Sequence, residues 1–308
     1  MSAVGLFAKM PAKADFVRHH IAEPAARVFN NWLHQGVETL RMTNNSPSNS
    51  PVRFLFSPPG TGQVLVGMMV PSQVQVGRSF PLAAFFPMDA AYFSRRFAGI
   101  PVACDPFLES LSRVLSQAHQ MSFEQLVGQL EAVPVPNAAQ FQAAQEVGTR
   151  IQQAVLAENF LGGSFDIAAG EHHYALYALS TACQYVHGKP PEQAGTILDC
   201  PLSADVDLYA WLELASRLLA WDTQPPSFFW VEAPVPRMLL SLGAVHTQIL
   251  RWFSDPQATH ERLWPLKTEH EPSRQQARER MEQQLAAFAP GAGATLGQFL
   301  YALGGPGQ

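Results

Sequence analysis

The sequence predicts an α+β protein, a mostly antiparallel sheet with helices packed on it and a helix-rich second half. Two observations carry this. Three short apolar runs stand close together, at 52–57, 63–70 and 80–86, and the first two are joined by PPGTG, a Gly-containing turn of hairpin type. Around them lie longer segments whose apolar residues recur at helical spacing. The first 130 residues thus read strand, helix, hairpin, strand, helix, an antiparallel sheet layered with helices.

Each element has its own signal. VGLFA (4–8) reads as a short buried strand, and KMPAKADF follows it as a loop. Pro24 then opens a helix, where proline suits the first turn, and Val28, Phe29, Trp32, Leu33, Val37 and Leu40 draw one apolar face. NNSPSNSP (44–51) breaks that helix. DPFLESLSRVLSQAH (105–119) carries a helical stripe, with Asp105 placed as N-cap and Pro106 in the first turn. VPVPN (133–137) is the best linker. Beyond it, 138–157, 172–186 and 205–221 predict helices, TILDCPL (196–202) and SFFWVE (227–232) predict strands, and PRMLLSLG predicts a short helix ended by Gly243. From about Pro256 the chain turns polar: EPSRQQARERMEQQLAAF predicts a charged helix, and the Gly-rich end predicts flexibility. The implied division is 1–132, an N-terminal α+β domain; 138–255, a helix-rich part with short strands; and 256–308, a polar, partly flexible tail. Such a tail buries too little apolar area to offset its ordering entropy, so it is expected to be dispensable for folding. There is no internal repeat.

Composition bounds the function. At 308 residues about two domains are expected, and 47% hydrophobic residues suffice for a sizeable core. Only 15% are charged, below the usual share of about a quarter, which points to a surface partly covered by a partner. A net charge of -5 and a pI of about 6.0 leave no electrostatic footprint for nucleic acid. The first twenty residues have neither a continuous apolar core nor a cleavage site, so no secretory signal is expected. No stretch approaches the roughly 20 apolar residues of a membrane span, so no membrane insertion is expected either. Cys104, Cys183 and Cys200, odd in number and in apolar contexts, predict reduced core thiols in a cytoplasmic protein.

The chemical motifs are weak. PPGTG (58–62) lacks the Gly-Lys-Ser/Thr end of a phosphate loop and reads as a turn. EHHYALY (171–177) with Cys183 and His187 is a ligand-type cluster, and Cys183 and His187 share a helical face. A zinc site needs three or four converging ligands, whereas His172 and His173 point about 100° apart on a helix. Exposed or capping histidines are the simpler reading there, and the HH at 19–20 is weaker still. No Gly-x-Ser-x-Gly elbow is present, LGGSF (161–165) reads as a turn, and no cysteine sits in an electropositive motif. Asp199, Asp205 and Asp207 flank a strand end and are candidate catalytic carboxylates, but helix capping is the simpler account of Asp205. No catalytic residue, cofactor or metal is expected from this chemistry.

One segment stands apart. VPSQVQVGRSFPLAAFF (70–86) sets a polar stretch with a single arginine, Arg78, directly against a strand. With VGLFAKMPAKADFVRHH and PVRF it makes three ordered motifs that resemble the TagF (ImpM) family of type VI secretion accessory proteins. Gly5, Phe7, Lys9, Pro11, Asp15, Phe16, Val17 and Arg18 match the family opening; Ala8, Met10 and Ala14 depart from it. Pro51, Arg53 and Phe54 match the second motif, with Val52 for the usual tryptophan. Pro71, Ser72, Val76, Gly77, Arg78, Phe80, Pro81 and Leu82 match the third, with Val74 for aspartate. The resemblance covers about residues 4–90 well and 196–253 loosely.

The resemblance implies a longin-like α+β sandwich. It also implies a cytoplasmic, non-enzymatic regulator of a bacterial type VI secretion system, mostly a repressor, that works with a forkhead-associated scaffold protein. The alternative is a structural or assembly component docking into the apparatus. The residues singled out are Lys9, Pro11, Asp15, Phe16, Arg18, Ser72, Gly77 and Arg78. For Arg78 two readings stand. In one it clamps the Lys9–Asp15 segment through a bidentate pair with Asp15. In the other it forms with Lys9 a small basic spot for an acidic or phosphorylated partner segment. The clamp is the favoured reading. Gly77 suits both, because it lets the backbone turn or approach closely.

Overall fold

Side-chain alternation decides how the sheet sits. In Gln63–Val70, Val64, Val66 and Met68 enter one apolar cluster, while Leu65 and Met69 enter another. In Leu82–Asp89, Ala84 and Phe86 go one way, Ala83 and Phe85 the other. Successive residues of a strand point to opposite faces, so both faces of this sheet are buried. The computed structural model describes residues 3–9, 16–72, 80–93, 97–187, 189–190, 194–219, 221, 224–267, 271–285, 288 and 293–305.

The strands are β1 (Gly5–Lys9), β2 (Phe16–His19), β3 (Val52–Phe56), β4 (Gln63–Val70), β5 (Leu82–Asp89), β6 (Gly195–Pro201), β7 (Ser227–Val231), β8 (Arg237–Gly243) and β9 (Leu263–Pro265). They form one sheet in the order β2-β1-β5-β4-β3-β7-β8-β6-β9. Pairing is antiparallel except between β6 and β9. The helices are α1 (Pro24–Met42), α2 (Ile100–Ser116), α3 (Phe123–Glu131), α4 (Ala138–Ala154), α5 (Ala157–Gly162), α6 (Glu171–Val186), α7 (Asp205–Leu218), α8 (Ile249–Ser254), α9 (Glu271–Leu285) and α10 (Leu296–Gly304). The α+β class expected from sequence is the one found.

One face is covered by α1 and α8. Phe29 stacks on Phe54 at 4.9 Å and Trp32 on Phe229 at 5.3 Å. The opposite face is covered by α2, α3, α5, α6, α7, α9 and α10, whose buried residues join one core with Leu55, Val66, Leu198 and Leu240. Local chemistry sets several helix starts. Ser122 with Gln125, Asn137 with Gln140 and Thr295 with Gln298 form capping boxes, satisfying backbone N–H groups that lack partners in a first turn. In α7 this work falls to Asp207. Its Oδ2 accepts from Ser203 N at 2.6 Å, Ser203 Oγ at 2.6 Å and Ala204 N at 3.1 Å. Asp205, the residue expected to cap, lies within the helix.

Other expectations are corrected. PRMLLSLG is strand β8, paired on both sides by β6 and β7 and buried along its whole length. Leu and Met favour helices, but propensity is a weak prior, and two flanking strands override it. Helix α2 starts at Ile100, so Asp105 is not its N-cap; Pro101 takes the first-turn place and Pro106 lies inside the helix. An Asp-Pro pair carries the same sequence signal in either position. Strands β2 and β9 were not anticipated, being four and three residues long. His172 is buried, neither exposed nor capping.

The tail differs most. Strand β9 pairs with β6; α9 buries Ala277, Met281 and Leu285; α10 buries Leu296, Phe299 and Leu300. These residues complete the main core, so dispensability for folding does not fit the structure. The stretch 133–137 falls between α3 and α4. Strands from either side of it meet in the sheet, with Arg53 opposite Trp230, Phe54 opposite Phe229 and Leu55 opposite Phe228.

Candidate functional site

The motif residues gather where β1, β2, β5 and α1 meet. In the β1–β2 ladder Phe7 lies opposite Arg18 and Lys9 opposite Phe16, so all four share a face. Phe16 stacks on Phe7 at 5.5 Å, and Phe80 meets both rings edge-on at 5.3 and 4.8 Å. His34 of α1 closes the group, 4.5 Å from Phe16 and 5.0 Å from Phe7. Two cations cover its rim: Lys9 Nζ lies 5.7 Å from the Phe16 centroid, and the Arg18 guanidinium 5.7 Å from that of Phe7. Each contact is worth about 0.5–1 kcal/mol at an exposed site. Burial, and then the charge of Arg18, lowers the His34 pKa, so the imidazole is neutral at pH 7.

Ser72 serves the same corner. Its Oγ accepts from the Phe80 N–H at 3.3 Å, tying the two ends of the third motif together. Beside it runs a cleft of about 230 Å³ lined by Lys9, Asn49, Pro71, Ser72, Ser112 and His119. Lys9, Phe16, Arg18 and Ser72 are thus brought together. Pro11, Asp15, Gly77 and Arg78 lie outside the described residues, and with them the proposed Arg78–Asp15 clamp.

The second motif has a different role. Arg53, 13% exposed, pairs with Asp105 at 3.3 Å, with Glu232 at 2.9 Å and with Glu109. One guanidinium therefore ties β3 to α2 and to the end of β7. A cleft of about 530 Å³ opens beside it, lined by Val102, Trp230 and Leu208 among others. Sequence reading missed this hub, because Asp105 and Glu109 become partners of Arg53 only when α2 crosses the sheet. It missed His34 for the same reason.

The three cysteines and His172 are enclosed, while His187 is exposed. Cys104, Cys183 and Cys200 are free and buried; burial pushes the Cys183 thiol up to about 12 and raises the other two as well. Burial, with a smaller push from His173, holds His172 down to about 4. Asp199 pairs with Arg237 through Nε at 2.9 Å and through Nη2. Among the described residues, one group of three metal-ligating side chains converges: His19, His20 and Glu131. No helix among them is long and apolar enough to cross a membrane.

The family model of the TagF N-terminal domain, described as type VI secretion system-associated, matches residues 5–133, a stretch that contains all three motifs. Residues 5–133 are therefore similar to a type VI secretion system-associated domain, the TagF N-terminal domain. Among solved structures, PA0076 from Pseudomonas aeruginosa PAO1 is similar at 15% identity and a TM-score of 0.49, over 85% of this chain and 99% of that one. No curated protein matches the chain.

Proposed function

We propose that the protein is a non-enzymatic, cytoplasmic, post-translational regulator that represses a type VI secretion system by binding one of its components. The forkhead-associated scaffold protein is the first candidate partner. The family match supports the setting. The observation that carries the reading is the convergence of the first and third motifs on one corner of the sheet. There Lys9 and Arg18 are held over aromatic rings, and Lys9 also lines a cleft. Such a corner suits an acidic or phosphorylated segment, because an anion there meets two preplaced cations.

The test has a genetic and a biochemical arm. Overproduction should lower secretion of the tube protein, and deletion should raise it or leave it unchanged. If deletion abolishes secretion while the rest of the cluster is intact, repression is wrong and an assembly role replaces it. In pull-downs from cells carrying the cluster, the double variant Lys9→Ala, Arg18→Ala should lose the partner that the unaltered protein captures. Capture unchanged by that variant would remove this corner as the docking site.

A further inference from the structure

We infer that His19, His20 and Glu131 form a divalent transition-metal site, best suited to Zn²⁺, which links the edge strand β2 to the end of α3. Neighbouring residues of a strand point to opposite faces, so an HH pair ordinarily cannot serve one ion. Here the strand ends at His19, and His20 takes a positive φ of 48°. That left-handed step brings its ring beside the previous one, with centroids 3.9 Å apart. Glu131, the last residue of α3, supplies the third group. Its Oε1 lies 3.2 Å from His19 Nε2 and 4.0 Å from His20 Nε2.

Three features favour a shared ion over a plain His–Glu contact. First, His19 Nε2 is a buried atom without a hydrogen-bond partner, although the carboxylate oxygen is 3.2 Å away. The two atoms are close but not aimed at each other, as donors are when they aim at a common point between them. Second, the spacing fits. Zn–N and Zn–O bonds of about 2.0–2.2 Å in a tetrahedron put ligand atoms roughly 3.3 Å apart. One contact already has that separation, a second at 4.0 Å needs to close by well under an ångström, and all three ligand atoms lie within 4.8 Å of one another. Third, Glu131 stands at a helix C-terminus whose last turn holds no basic residue. A carboxylate there faces the negative end of the helix dipole, which a bound cation would reverse.

Two imidazoles and a carboxylate are a donor set that zinc takes readily, with nickel and cobalt as close competitors. His20 and Glu131 are half-exposed, 47% and 53%, so a fourth position faces solvent and is filled by water. The ion would bind two elements far apart in the chain, and its affinity would appear as added stability of the loaded protein.

The experiment is zinc titration of the full chain by calorimetry, after removal of metal by a chelator. One Zn²⁺ per chain is expected, together with a rise in thermal midpoint. His19→Ala, His20→Ala and Glu131→Gln should each weaken binding by more than about tenfold, the least that loss of even a supporting group costs such sites. The triple variant should bind none, while His172→Ala, which alters the other histidine pair, should bind as the unaltered protein does. Cobalt should give the visible absorption of a low-coordinate nitrogen and oxygen site, absent in the triple variant. Zinc bound equally by the triple variant, or by none of the proteins, overturns the inference; circular dichroism confirms that each variant is folded.

Discussion

A buried arginine clamp of the kind expected at Arg78 joins neighbouring strands of the second half. Arg237 of β8 lies diagonal to Asp199 of β6, and its Nη1 also donates to the Trp252 carbonyl at 3.0 Å. With the arginine side chain 5% exposed, removing one partner strands the other charge. Arg237→Ala and Asp199→Ala should each cost about 3–5 kcal/mol. The double variant should cost clearly less than their sum, as denaturant midpoints will show. Additive losses would mean that the pair does not act as a unit. His172 makes a second prediction at this scale. In the folded chain its imidazole stays neutral down to about 4, while the unfolded chain takes up that proton near 6.5. Between those values the unfolded state binds more protons, so stability should be flat above about pH 6.5 and fall as pH drops toward 4. The loss should be on the order of 3 kcal/mol. Urea midpoints at pH 7 and pH 4.5 measure it, and His172→Leu should flatten the difference.

Elements were legible where local chemistry and tertiary fate agree. Strands β3 and β4 announced themselves by apolar runs around a Pro/Gly turn, and α1 by its stripe behind Pro24. Strand β8 was not legible, since only pairing with β6 and β7 makes a strand of residues that favour helix. The corner site was half legible. Lys9, Phe16, Arg18 and Ser72 could be named from motif resemblance, but His34 and two of Arg53's partners, Asp105 and Glu109, come from helices laid across the sheet. His19, His20 and Glu131 were illegible as a group, because their meeting depends on one left-handed residue and a distant helix end. The tail misled because α10 is short and surrounded by glycine, yet Phe299 is fully buried and lies 5.8 Å from Phe288. Phe299→Ala should therefore cost about 3–5 kcal/mol. Loss of the cap in Thr295→Ala should cost only about 1 kcal/mol. Thermal melts of the two rank them, and a Phe299→Ala loss no larger than the cap's would restore the dispensable tail.

At the scale of the molecule, the β3–β7 ladder is the seam between strands from before and after the 133–137 stretch. Trp32 and Phe29 of α1 lie over that seam, touching rings from both sides of it. The two parts should therefore melt together, with tryptophan fluorescence and far-ultraviolet dichroism giving coincident transitions. Two separated transitions would show that the seam is weak. The seam also has a consequence in time. A ribosome delivers β1 to β5 by residue 89, but the neighbour of β3 begins only at residue 227. At about 5–20 residues per second, the apolar strand Val52–Phe56 waits roughly 10–30 s with one edge unpaired. An open edge of that kind recruits other chains. The nascent protein thus passes through a window in which its own second half competes with its neighbours on the polysome for the same row of backbone groups.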